Sequence, residues 1–154
     1  MANDYYGAEF TKTREPREMI DVAKNHGRVR IAIDEFEADE SVIAATDRIH
    51  IARIPSNAVL LPISTLYFDI LGTSATVDFG DTEDPNGLAT VIDVATAGNA
   101  SLLEAVDIAD YGQRLWELLG YTSDPGGLID LFLTVVADIV TSGTIKSIIY
   151  YVVD

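Results

Sequence analysis

The last thirty residues of the chain constrain its fold more than any other stretch. Residues 128–137 and 145–153 are two runs rich in β-branched and aromatic residues, and a segment of Thr, Ser and Gly at 141–144 separates them. Such runs are typical of β-strands, and the turn residues between them predict a closing β-hairpin. This part of the sequence therefore indicates scaffold rather than a catalytic segment.

Shorter strands are predicted along the rest of the chain. From Gly27 onward Val29, Ile31 and Ile33 alternate with other residues, which predicts a half-buried strand, and residues 48–54 alternate again. Pro62 lacks a backbone donor, so residues 58–71 form one interrupted strand or two consecutive ones. Residues 75–80 predict a further strand.

Two segments after residue 80 carry weaker or different signals. Residues 81–87 hold turn-forming residues between apolar runs and predict a loop, whereas residues 88–96 fit either a strand or a short helix. One short helix is predicted with its core at 110–119, and Gly120 stands where a helix C-terminal cap belongs. The sum is an all-β fold with one short helix and about seven or eight strands, typical of a β-sandwich or barrel.

Length and composition indicate one folded domain. The chain has 154 residues, 48% of them hydrophobic, which suffices for one core without disulfides or metal. We assign residues 27–154 to this β-sandwich domain and the polar, charged residues 1–26 to an N-terminal arm. The chain has no cysteine, no long apolar run and no apolar signal segment at its start, so a soluble protein without a cleavable export signal is expected.

The charge of the chain is unevenly distributed. The net charge is -15, yet residues 1–53 hold 8 Lys and Arg against 11 acidic residues, whereas residues 54–154 hold only Arg114 and Lys146 against 14 acidic residues. An acidic body repels phosphate backbones and anionic membrane surfaces. We therefore predict neither a nucleic-acid partner nor a membrane partner.

For no candidate catalytic or metal site in the sequence is function favoured over a purely structural role of the residues. An acidic cluster contains Asp78, Asp81, Glu83, Asp84 and Asn86, but its spacing does not fit a calcium loop, and acidic loops are usually solvated. His26 and His50 lack metal-ligand spacing, and a pairing of His50 with Asp34 or Asp47 would be structural. No serine has the context of an esterase nucleophile. We predict no catalytic residue, no metal ligand and no cofactor.

Aromatic residues are the candidates for contacts with a partner. Neighbouring residues on a strand face opposite sides, so one of Tyr67 and Phe68, and one of Tyr150 and Tyr151, should face away from the core. An outward aromatic residue on a sandwich is either a platform for stacking sugars or, more often, an anchor of a subunit interface. We take Tyr67, Tyr150 and Tyr151 as interface candidates.

Several segments together resemble small virion structural proteins of tailed bacteriophages. They are Ile-His-Ile-Ala-Arg-Ile-Pro at 49–55 with Asn-Ala-Val-Leu at 57–60, Leu-Tyr-Phe-Asp-Ile-Leu-Gly at 66–72 leading into Thr-Val-Asp-Phe-Gly at 76–80, and the closing Asp-Pro-Gly-Gly at 124–127 with Ser-Gly-Thr at 142–144 before the last strand. The resemblance covers residues 27–153 and consists of turn and strand chemistry.

This resemblance implies a jelly-roll-like β-sandwich that acts as a head decoration, or cement, protein. Such a protein is not an enzyme; it is made in the host cytoplasm, binds the major capsid protein on the capsid exterior and forms a homo-oligomer, with a trimer favoured. On this interpretation the arm is the part that orders on an acidic coat surface, through Lys12, Arg14, Arg17 and Lys24. The alternatives are a phage tail, fibre or connector component, or a jelly-roll module that binds carbohydrate or a receptor.

Overall fold

The structure is a computed structural model that describes residues 27–153. The predicted arm, residues 1–26, lies outside the described residues. The elements in chain order are β1 (Arg28–Ala38), β2 (Arg48–Pro55), β3 (Val59–Leu60), β4 (Thr65–Phe68), β5 (Thr76–Gly80), β6 (Ala89–Asp93), β7 (Gly98–Ser101), α1 (Leu115–Leu118), β8 (Leu128–Ala137) and β9 (Gly143–Val153).

The strands form two antiparallel sheets, which confirms the predicted β-sandwich. The first sheet has the order β1-β9-β4-β7, with the short β3 also paired to β9, and the second has the order β2-β8-β5-β6. If the two-residue β3 is set aside, the first strand pairs with the last, the second with the second-last, and so on to the neighbours β5 and β6. This nesting is that of a long hairpin rolled into two sheets, which is the jelly roll.

The predicted closing hairpin is wrong. Strands β8 and β9 have nearly the predicted bounds, but they lie in opposite sheets and each has neighbours on both sides. Strand β8 lies between β2 and β5, and β9 lies between β1 and the consecutive strands β3 and β4. Each strand thus obtains its backbone partners from residues far away in the sequence, which local turn chemistry does not reveal.

The core lies between the sheets and uses the central strands most. Alternate residues of β8 face inward, among them Leu131 and Leu133, and Ile145 and Ile149 do the same on β9. All four are at most 1% exposed, and burial of an aliphatic side chain of this size contributes about 1.5–3 kcal/mol. The residues left open as strand or helix, 88–96, contain strand β6.

The predicted first strand is present as β1, with its row of Val and Ile side chains on the outer face of the sheet. Val29, Ile31 and Ile33 do not face the core; they are between 53% and 62% exposed. The opposite face of β1 carries Ala32 and Phe36, which pack against the core. Alternation in the sequence gives two faces but does not say which one is buried. Here the face with Ala32, Phe36 and Ala38 is turned toward the core.

The predicted helix exists but is short. Helix α1 spans only Leu115–Leu118, with Leu115 and the following Leu119 buried. Gly112 adopts a φ of 95°, which interrupts the helical backbone before it, and Gly120 adopts a φ of 77° with its N–H donating to the carbonyl of Glu117. The predicted glycine cap is therefore confirmed. No helix between residues 27 and 153 is both long and apolar enough to cross a bilayer.

The loop 81–87 folds directly back over the end of β5. At Gly80 an added Cβ would lie 2.0 Å from the carbonyl oxygen of Asp84 and 2.7 Å from the backbone of Pro85. Only a residue without a side chain fits between this strand and its own following loop. The glycine is thus required by contact, although its φ is ordinary.

We expect Gly80→Ala to destabilise the protein by about 1–3 kcal/mol, because the new methyl group would overlap backbone atoms that cannot rotate away. The matched control is Gly98→Ala, where the nearest atom to an added Cβ is 4.0 Å away. Denaturant unfolding of both variants measures the difference. Equal stability of the two variants would contradict this packing of the loop.

Candidate assembly surface

The outer face of the five-stranded sheet carries an exposed apolar surface. Directly paired residues of antiparallel strands have side chains on the same face. The register therefore places Ile31 beside Tyr150, and Ile33 beside Ile148 and Thr65. We call this set, with Val29 at its end, the outer apolar strip: Val29, Ile31, Ile33, Ile148 and Tyr150.

The next row of the same face is polar. Lys146 pairs with Glu35 on β1 and with Tyr67 on β4. Its Nζ lies 2.8 Å from Oε2 of Glu35, and this hydrogen bond and charge raise the pKa of Lys146. Both side chains are about half exposed, so the pair orients the lysine and contributes little stability.

The structure separates the three predicted interface aromatics. Tyr67 is 45% exposed on the outer face while Phe68 is buried, as the alternation predicts. Tyr150 also lies on the outer face. Tyr151 lies on the opposite face and packs against the core, so it is not part of the outer apolar strip. The interface role of these residues stays a prediction.

An open cleft of about 330 Å³ lies at the edge shared by the two sheets. It is lined by Asp34, His50, Ile51, Ala52, Arg53 and Asp130. Arg53 Nε donates a hydrogen bond to Asp130, which lowers the pKa of Asp130 and raises that of Arg53. Among residues 27–153, no serine, threonine or cysteine that could act as a nucleophile lines this cleft.

His50 contacts an aromatic ring, and its charge contributes, after Arg53, to the lowered pKa of Asp130. Its ring centroid lies 5.2 Å from that of Phe132, and the guanidinium of Arg48 lies 4.6 Å from the same ring. The predicted partners of His50 use their carboxylates elsewhere. Asp34 lines the same cleft but accepts the N–H of Glu35, and Asp47 accepts the N–H of Ala44. These contacts cover Phe132, which is 1% exposed although it faces away from the core. His26 lies outside the described residues.

The acidic loop uses its carboxylates for its own structure. Asp81 is 2% exposed, and its Oδ1 accepts the N–H groups of Glu83 and Asp84. Asp78 accepts the N–H of Val91 on the neighbouring strand. Between residues 27 and 153, no three acidic, histidine or cysteine side chains come together in a way that could hold a metal ion.

Tyr121, which is distant in the sequence, binds the loop 81–87 through Asp81. Its hydroxyl donates to Oδ2 of Asp81 at 2.5 Å, and this hydrogen bond, followed by burial and the charges of Asp81 and Glu83, raises the pKa of Tyr121 to about 12. The contact joins the segment after α1 to the loop after β5. Sequence spacing gives no sign of it, because the two residues are 40 positions apart.

The Asp-Pro-Gly-Gly segment is also a structural device. Ser56, 2% exposed, donates its hydroxyl to Asp124 at 2.6 Å, and Gly126 N–H donates to the same oxygen. The Ser56 bond and then the Gly126 bond lower the pKa of Asp124. Gly126 and Gly127 both have a φ of 70°, a backbone conformation that favours glycine. The turn thereby ties the start of β8 to the end of β2.

The four predicted arm cations, Lys12, Arg14, Arg17 and Lys24, lie outside the described residues, so their role as a partner-binding group stays a prediction. Of the outer apolar strip, the sequence predicts only Tyr150 as an interface residue. Val29, Ile31 and Ile33 alternate along one strand, but the sequence does not show that β1 lies at the edge of its sheet.

Comparison with known proteins gives a structural match. The sequence matches no protein-family model and no curated protein. Among solved structures, a chain of the cyanophage Pam1 capsid asymmetric unit has a TM-score of 0.62 at 18% identity, and the match covers 92% of this chain and 96% of that chain. At this identity the likeness shows the fold, and it does so over nearly the whole length of both chains.

We expect Tyr121→Phe to destabilise the protein by about 1–3 kcal/mol at pH 7, because the buried carboxylate of Asp81 loses a donor. The raised pKa of Tyr121 adds a pH dependence: its stabilisation is present below pH 10 and is lost as the pH rises from 10 to about 12. Denaturant unfolding at pH 7 and pH 11 measures both effects, and the loss on going to pH 11 should be smaller in the variant.

The control for this experiment is Tyr111→Phe, since Tyr111 is 41% exposed. It should unfold like the parent protein at pH 7. If Tyr121→Phe also unfolds like the parent, Asp81 does not depend on the tyrosine and the assigned hydrogen bond is wrong.

Proposed function

We propose that this chain is a structural protein of a tailed-bacteriophage virion and that it acts as a decoration protein on the outside of the capsid. The observation that carries the proposal is the match to a chain of a cyanophage capsid asymmetric unit over 92% of this chain and 96% of that one. Coverage on this scale means that the two chains share the whole jelly roll rather than a single motif. The bacteriophage resemblance of the sequence supports the same class.

The charge of the body supports the outer surface of the shell. Residues 54–154 carry 14 acidic residues against two basic ones. A surface of this kind is repelled by the phosphates of packaged DNA, which makes the interior of a filled shell unfavourable. An exterior position avoids this repulsion, and the partner there is the major capsid protein.

Decoration has a simple physical basis. A protein that binds the assembled shell and not the free coat subunits stabilises the shell by the free energy of its binding. An oligomer that touches several coat subunits at once gains effective concentration from its linked contacts, so each contact can be weak. The homo-oligomer, with a trimer as the favoured form, belongs to this proposal, and so does its non-enzymatic character.

The cleft does not favour the carbohydrate-binding alternative. Its lining, between residues 34 and 130, contains two carboxylates, one arginine and one histidine but no tyrosine, tryptophan or phenylalanine on which a sugar ring would stack. The exposed aromatic residues Tyr67 and Tyr111 do not line this cleft; Tyr67 lies on the outer face of the five-stranded sheet. No second function is proposed on this basis.

The arm is the proposed particle-binding element. We expect a variant in which Lys12, Arg14, Arg17 and Lys24 are replaced by Gln to bind particles more weakly than the parent chain, and its binding to depend less on salt. Co-sedimentation with purified virus particles stripped of this protein measures both. Deletion of residues 1–26 should have at least the same effect while the sandwich stays folded.

The control is Arg53→Gln, which also removes a cation but from the body of the sandwich. It should bind particles like the parent chain. Unchanged binding of the arm variants would contradict the role of the arm, and failure of the parent chain itself to bind would contradict decoration.

A further inference from the structure

Strand β1 differs from the other edge strands of the sandwich. Strand β7 has only four residues, and the pairings of β2 and β6 each contain a register shift. Short strands and bulges are the usual means by which an edge avoids pairing with another chain. Strand β1 has 11 residues and pairs with β9 without interruption, and no strand among residues 27–153 pairs with its other side.

The exposed side chains of β1 add a second feature of an unfilled edge. Val29, Ile31 and Ile33 occupy consecutive outward positions and are more than half exposed. Tyr150 and Ile148 continue the same apolar surface onto β9. An extended edge next to an apolar face is suited to β-strand addition, in which backbone hydrogen bonds and side-chain contacts form together.

The order of charges along β1 indicates what is added. The strand begins with Arg28 and Arg30 and continues with Asp34, Glu35 and Glu37. Within residues 27–153 neither arginine forms an ion pair. A parallel copy of this strand would place like charges together, whereas an antiparallel copy places the basic end of each strand against the acidic end of the other.

We infer that two copies of this protein pair through their β1 edges, antiparallel and around a two-fold axis at Ile31. In this register Ile31 faces its own counterpart, Val29 faces Ile33 of the second copy, and Arg28 faces Asp34. Each outward apolar residue of β1 meets an apolar residue of the second copy, and the two sheets become one continuous sheet.

A neighbouring register fits less well. If the axis passed through Ala32, Val29 would face Glu35 of the second copy, which places an aliphatic side chain against a carboxylate. Registers shifted by one residue would pair the outer face of one copy with the inner face of the other. An axis through Arg30 would place the two Arg30 side chains opposite each other, which sets like charges together. Of these three registers, the axis at Ile31 is the one that the side chains favour.

The absence of cysteine from the sequence makes the register directly testable. Ile31→Cys places two thiols opposite each other, within the Cα separation of about 4.4–6.8 Å that a disulfide requires. In Ile33→Cys the two thiols are four residues apart along the paired strands, about 13 Å, which is too far. Under mild oxidation the full-length Ile31→Cys chain should become a covalent dimer, and Ile33→Cys should not.

A mixture extends the same test. Val29→Cys and Ile33→Cys chains, oxidised together, should give the mixed dimer, because residues 29 and 33 face each other in this register. If Ile31→Cys stays monomeric while folded, or if it dimerises no faster than Ile33→Cys, the proposed pairing is overturned.

The ion pair provides an independent readout without oxidation. Analytical ultracentrifugation of the full chain should show two-fold association, which is a dimer of single chains or, if the trimer of the proposed function also forms, a dimer of trimers. Arg28→Asp should weaken this two-fold association at least about tenfold, and the double variant Arg28→Asp, Asp34→Arg should restore it. A parent chain that sediments as a monomer, or a double variant no better than the single one, would overturn the pairing. This contact does not depend on the proposed virion role, since a chain that dimerises without binding particles would contradict only that role.

Discussion

The fold depends on the central position of β9, the last strand, in the five-stranded sheet. It pairs with β1 along its whole length on one side and with β3 and β4 on the other, and it buries Ile145 and Ile149 in the core. The pairing of the first described strand with the last closes the jelly roll. Such pairing requires contacts between residues that are more than 100 positions apart, which makes folding slow compared with that of a protein rich in local contacts.

The same arrangement determines which surfaces are available for assembly. Because β9 fills the interior position, β1 becomes the edge, and its apolar side chains Val29, Ile31 and Ile33 are left on the outer face. Two acidic residues serve the scaffold: Asp81 accepts hydrogen bonds from its own loop and from Tyr121, and Asp124 accepts one from Ser56.

Local signals predicted the strands well and their partners poorly. The bounds of β8, the break at Pro62, the loop at 81–87 and the glycine cap at Gly120 follow from side-chain and turn chemistry. The predicted closing hairpin is wrong because β8 and β9 do not pair with each other; each pairs with distant strands, in opposite sheets. The buried face of β1 could not be chosen because alternation is symmetric. The contact of Tyr121 with Asp81 has no sequence signal, and the arm residues lie outside the described part of the chain.

The central claim is that this jelly roll is a component of a phage shell. Its most direct test is the copy number of the chain in purified particles of the virus that encodes it, measured by quantitative mass spectrometry against the major coat protein. The account predicts hundreds of copies in a simple ratio to the coat protein. A dozen or fewer copies would place the chain in the tail or connector and contradict capsid decoration, and its absence from the particles would contradict a virion role altogether.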